Sequence, residues 1–171
     1  MRENVSFAIG NIALMDKIDK KFNFFGRLFS GIADKAKNLE ESAKLFVHNR
    51  LGECVSINRL TSVYPLELFE QLGFKEVPKE RTLYRNLERI GLHHKFIISK
   101  YQQLISKHGL VSKEQFSDFS SSYFEGKKAE LGKLGYSRDS QPGKEQITFG
   151  VSTGINSIPT ALTIQKGNVQ D

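Results

Sequence analysis

The chain has 171 residues, 39% hydrophobic and 26% charged, which is room for one compact domain or two small ones and speaks against disorder or a fibre. Its one cysteine, Cys54, excludes an internal disulfide framework and a cysteine-cluster zinc site, and beside Val55 it reads as a small buried side chain. The formal net charge is +6, and residues 113–171 carry 7 of the 25 Lys+Arg and 7 of the 19 Asp+Glu, so the whole excess falls in residues 1–112, where a polyanion would sit.

Along residues 1–33, Ile12, Ile18, Phe22, Phe25 and Phe29 fit one or two helices interrupted at Gly10, Gly26 and Gly31. The weakly polar run Val5–Met15 contains Asn11 and is about half the roughly 20 residues a membrane-spanning helix needs. Glu3 and the lack of a small-residue cleavage site argue against a signal peptide, so a cytoplasmic protein with no membrane partner is expected.

Residues 34–108 read as successive short helices. Asp34 is a candidate N-cap for a helix carrying Leu39, Ala43, Phe46, Val47 and Arg50, with Gly52 at its end. Ser56 caps a second, which Pro65 stops at Tyr64, and Leu66–Leu72 forms a third, stopped at Gly73. Pro78 suits a first helical turn, after which Leu83, Leu87 and Ile90 mark an apolar stripe closed by Gly91; Ile97, Tyr101, Leu104, Ile105 and His108 mark another before Gly109. Short helices joined by tight turns have helix-turn-helix character. His93 and His94, being adjacent, diverge by about 100° on a helix, and His48 and His108 lack ligand-spaced partners, so all four read as structural.

Past residue 113 the pattern turns to strands. Gln115–Tyr123, Gln146–Ser152 and Thr160–Gln165 are short, β-branched or aromatic runs, and Gly154-Ile155-Asn156-Ser157 suits the hairpin between the last two. The expected fold class is therefore α+β, with a helical region at 1–112 followed by a three-stranded antiparallel sheet at 113–171.

Two groups of residues point to chemistry. Arg81, Arg85 and Arg89 recur every four residues and form a slowly drifting basic stripe, with Tyr84 beside it to reach a phosphate or sugar. Glu80 and Glu88 partly neutralise that face, so charge alone also fits a solvated surface. Asp118, inside the run Phe116-Ser117-Asp118-Phe119-Ser120-Ser121-Ser122-Tyr123-Phe124-Glu125-Gly126, is disfavoured in a strand. It either ends the strand and caps a turn with the serines or serves there as a metal ligand.

That run resembles the first catalytic motif of DDE-type insertion-sequence transposases, which lies on the first strand of an RNase H-like fold. Gly135-Tyr136-Ser137-Arg138-Asp139-Ser140-Gln141-Pro142 and Lys144-Glu145-Gln146-Ile147-Thr148-Phe149-Gly150 resemble the same family's next block and second strand. Ile158-Pro159 and the Gly167-Asn168 to Asp171 ending resemble its third strand and turn, and His48-Asn49-Arg50-Leu51 and Thr82-Leu83-Tyr84-Arg85-Asn86-Leu87 resemble two helices upstream. The blocks run in order across about residues 40–171; Ser120 and Gln165-Lys166 depart from the family's usual Thr and Phe-Pro.

The resemblance implies double-stranded DNA at the transposon ends as partner, contacted through Arg81, Tyr84, Arg85 and Arg89. It implies Asp118 as the first of a catalytic and metal-binding triad of two Asp and one Glu. Asp139 is read as structural or substrate-positioning, and Asp171 as part of the turn. The full family cuts and joins strands with two Mg²⁺ about 3.5–4 Å apart, which one carboxylate does not hold. The chain is thus expected to be a transposase fragment, inactive alone, either working as a homo-oligomer or with a separately encoded C-terminal half. The alternatives are a stand-alone repressor of its parent element and a non-functional remnant whose open sheet edge promotes aggregation.

Overall fold

A computed structural model describes residues 7, 9–32, 37–126, 129–135 and 143–169, and divides the chain into two compact units, Met1–Tyr101 and Gln102–Asp171. The division falls inside a helix, ahead of the composition change at residue 113. Among the described residues the fold is α+β.

The first unit is helical: α1 Gly10–Phe22, α2 Phe24–Phe29, α3 Leu39–Leu51, a 3-10 turn at Ile57–Arg59 running into α4 Leu60–Val63, α5 Leu66–Gln71, and α6 Glu80–Leu92. α7, His94–Lys107, starts in this unit and ends in the next. Each of α1 to α6 sends apolar side chains into one core built from Ile12, Met15, Phe25, Ala43, Leu45, Leu60, Leu68, Phe69 and Leu83. Burying each of the larger ones contributes about 2 kcal/mol. The αL residue Asn23 (φ 48°) separates α1 from α2, and Asp19 Oδ1 accepts the Phe25 amide at 2.9 Å to seat the second helix. Lys44 ties α3 to α1, reaching Asp19 at 3.3 Å and Glu40 at 2.9 Å. Burial alone lowers the pKa of that ammonium, but the hydrogen bond and charge of Glu40, with Asp19 behind them, outweigh it and hold the ammonium above its ordinary value.

Several expectations for this unit change. α3 is preceded by Asn38 in the αL region, while Asp34 lies outside the described residues. Gly52 is not the left-handed residue that follows α3; Cys54 is, at φ 51°, and it is exposed in that turn instead of buried, because the turn faces solvent and Sγ reaches only back to Arg50 O. Pro65 does end α4, with Tyr64 extended at ψ 137°, and Gly73 turns left-handed after α5. Gly91 lies within α6, not after it, since α6 passes into α7 with only His93 between them.

Among the described residues the second unit holds a four-stranded antiparallel sheet, one strand more than expected: β1 Gln115–Tyr123, β2 Lys133–Leu134, β3 Glu145–Gly154 and β4 Pro159–Lys166. Gln146 pairs with Tyr123 on one side and Lys133 on the other, and Ile147 with Ser122 and Lys166, so β3 is central, β1 holds one of its edges, and β4 and β2 share the other. The β3–β4 hairpin turns at Gly154–Ser157, where Ser157 takes φ 59° and donates its N–H to Gly154 O. The extra strand, β2, is two residues long, too short to show a period-two pattern.

Direct cross-strand partners share a face. Asp118, Val151 and Leu162 form one row across the sheet, and Ser120, Phe149 and Ile164 the next, on the apolar side. The opposite side is polar, with Ser117 and Ser152 hydroxyls at 2.7 Å, and there Phe119 lies over Gly150, which a Cβ at that position would block. Gly135 lies against the Gly167 backbone: a Cβ on Gly135 would overlap Gly167 O, and one on Gly167 would overlap Gln146 O of β3. Buried Gln146 closes that junction by donating its side-chain N–H to Gly167 O at 3.1 Å.

Candidate nucleic-acid interface

α6 is positioned by its inner side. Leu83 is fully buried in the core and Asn86 is 1% exposed. The Asn86 amide donates to Lys37 O at 3.1 Å, Asn38 O at 3.1 Å and Ser42 Oγ at 2.8 Å, which pins α6 to the start of α3. A second buried asparagine, Asn49, does the same work at the other end of α3. Its Nδ2 donates to Val55 O, and its Oδ1 accepts the Val55 amide and the Tyr64 hydroxyl. Both residues fall in the upstream motif blocks, and both act as staples between elements. The expected apolar stripe therefore differs: Leu87 is 43% exposed, and the polar Asn86 takes the inward place.

With that side locked, Arg81, Tyr84, Arg85 and Glu88 face solvent. None of these four makes a hydrogen bond or ion pair to a described residue. Arg89 is half-buried and engaged within the protein, so the structure brings Arg81, Tyr84 and Arg85 together and turns Arg89 toward the flank. Drift explains this, since residues four apart advance by about 40° around a helix. Like charges at i,i+4 repel by roughly 0.2–0.5 kcal/mol, so Arg81 and Arg85 cost α6 stability that an external anion would recover.

The surroundings of the α6 N-terminus are also charged. Exposed Lys79 precedes the helix without a side-chain cap, and a shallow cleft of about 270 Å³ lies there, lined by Lys37, Asn38, Glu76 and Thr82 among others. Lys37 bridges Glu76 at 3.0 Å, and that hydrogen bond holds the Glu76 carboxyl below its usual range. Sequence spacing did not point to Lys37, which lies far from α6 in the chain.

Asp118 sits in the middle of β1, opposite Val151, and is exposed; its carboxylate is not a buried charge needing a counter-ion. Among the described residues no group of three or more His, Cys, Asp or Glu side chains is placed to hold a metal ion. Asp139 and Asp171 lie outside the described residues. A Mg²⁺ pair needs several oxygen ligands, and Asp118 by itself does not make such a site.

His48, on α3, is 4% exposed, packs edge-on to Tyr64 at 5.4 Å between ring centroids, and burial pushes its imidazole below the ordinary value. It lines a cleft of about 340 Å³ with Asn11, Glu53 and Leu68, but its Nδ1 is sealed from solvent and has no hydrogen-bond partner among the described residues. His94, at the start of α7, has Nδ1 at 2.7 Å from Gly91 O.

No helix among the described residues is long and apolar enough to cross a membrane. Comparison of the chain with protein-family models, curated proteins and solved structures finds no match.

Proposed function

We propose that this chain is a DNA-binding protein of the insertion-sequence transposase type, with α6 as the helix that meets duplex DNA. The observation that carries the reading is the division of α6 into two sides. Its inner side is fixed by Leu83 and the Asn86 staple, while Arg81, Tyr84 and Arg85 project outward with no partner among the described residues. A rigidly seated helix presenting uncommitted guanidinium groups suits phosphate contact, where Arg forms bidentate hydrogen bonds. The basic excess of residues 1–112 acts in the same direction.

The ordered motif blocks supply the second part of the reading. An antiparallel sheet whose first strand carries Asp118 is compatible with the opening of an RNase H-like domain, and the short helices α4, α5 and α6 with a helix-turn-helix region. The role proposed for the chain is recognition of DNA ends; Asp118 would be one carboxylate of a larger catalytic set.

The test is fluorescence anisotropy with a labelled duplex. The double variant Arg81→Ala/Arg85→Ala is expected to bind at least tenfold more weakly while its far-ultraviolet circular dichroism stays that of the wild type. Equal affinity for the two proteins would remove α6 from the interface.

A further inference from the structure

Within the exposed arc of α6, Glu88 has an unusual place. At about 100° per residue it projects within roughly 20° of Arg81 and 40° of Tyr84, near the crest of the solvent-facing side. A carboxylate at the crest opposes any contact with phosphate. Its neighbours do not neutralise it: Arg85 is one turn away, yet no ion pair to a described residue engages either side chain. When a helix lies in the major groove, its flanks face the phosphates and its crest faces the base edges. On base edges a carboxylate has a use, because it accepts from the cytosine N4 amino group, as arginine donates in bidentate fashion to guanine O6 and N7.

Resting on the reading of α6 as the DNA-contacting helix, we infer that Glu88 and Arg81 read bases, while Arg85 on the flank holds phosphate. The partner is then a duplex whose major groove presents a cytosine amino group to Glu88 and a guanine edge to Arg81. Seven residues of helix separate the two side chains, about 10 Å along the axis, which spans roughly three base-pair steps. Tyr84 stands between them, 44% exposed. The cost of Glu88 to general phosphate affinity is offset by rejection of sequences that leave its carboxylate unpaired in the groove.

The experiment is selection from a pool of randomised duplexes about two helical turns long, carried out with the wild type and with Glu88→Gln, Glu88→Ala and Arg85→Ala. The wild type is expected to enrich a site with a fixed C·G pair that Glu88→Gln loses or exchanges for A·T, since glutamine suits adenine N6 and N7. On that site discrimination should fall about tenfold, and Glu88→Ala should bind the unselected pool more tightly than the wild type. Arg85→Ala should weaken binding to all sequences and keep the preference. The same preferred sequence from wild type and Glu88→Gln would overturn the assignment of Glu88 while leaving α6 on the DNA. Failure of the wild type to retain any duplex would overturn the reading of α6 itself, and Glu88 with it.

Discussion

Replacing Asn86 by alanine should break the join between α6 and α3. Its side-chain amide has two hydrogens shared among three acceptors, at 3.1, 3.1 and 2.8 Å, and the residue is 1% exposed. Each such hydrogen bond is worth about 1 kcal/mol net, which makes about 2 kcal/mol for the pair of hydrogens. Asn38 O keeps the Ser42 amide and hydroxyl as donors, at 3.0 and 2.7 Å. Lys37 O has no other donor among the described residues, and because it is only part-buried its loss adds roughly 1 kcal/mol, the low end of the cost of a carbonyl left without a donor. Asn86→Ala should therefore lower stability by about 3 kcal/mol, a large share of the 5–15 kcal/mol typical of a domain. Asn86→Asp should be worse at neutral pH, because it turns a carboxylate toward carbonyl oxygens. Burial in that pocket would raise the new carboxyl's pKa in the fold, so stability would be lost as pH rises from the unfolded value of about 3.9 up to the raised folded value and partly restored in acid. Urea titrations followed by circular dichroism read both effects. A loss under about 0.5 kcal/mol for Asn86→Ala would refute the staple, since that is the range of an ordinary surface substitution.

Three further outcomes follow from the geometry. Gly167→Ala places a methyl against Gln146 O and Lys133 O and should destabilise the sheet unit by about 2 kcal/mol or more; a melting curve like the wild type's would contradict the close backbone approach. His48 is held neutral by burial, so the fold resists its protonation while the unfolded chain accepts a proton near pH 6.5. Its stabilising contribution is complete above that pH and is lost as pH falls toward the lowered folded value, at up to about 1.4 kcal/mol per pH unit. His48→Leu should flatten this part of the stability profile, and an unchanged profile would assign the acid sensitivity elsewhere. Arg89→Ala should affect stability more than DNA affinity, since Arg89 is half-buried and engaged within the protein, and the two readouts measured side by side decide it.

Much of the secondary structure could be read from the residues, for reasons that differ by element. β1 runs over Gln115–Tyr123 as its aromatic content implies, and α4 and α5 end where Pro65 and Gly73 stop them, because backbone restrictions at proline and glycine are local. What periodicity missed depended on tertiary partners. Asn86 replaces Leu87 on the inward side of α6 because the start of α3 offers it three acceptors from forty-odd positions away. Cys54 is exposed because buried Asn49 ties the neighbouring Val55 to α3 and leaves the turn facing solvent, which no property of cysteine foretells. In the candidate site, the outward placement of Arg81, Tyr84 and Arg85 was legible from their spacing, whereas the turn of Arg89 toward the flank depended on how far α6 is rotated against the core.

The most direct test of α6 as the DNA-contacting helix is the salt dependence of duplex binding for the wild type and the single variants Arg81→Ala, Arg85→Ala and Arg89→Ala. Each guanidinium seated on a phosphate adds about 0.9 to the slope of log affinity against log salt. The account predicts that Arg85→Ala lowers the slope by about one, that Arg81→Ala weakens binding with a smaller change in slope, and that Arg89→Ala changes it least. Wild-type slopes and affinities in all three variants would contradict it.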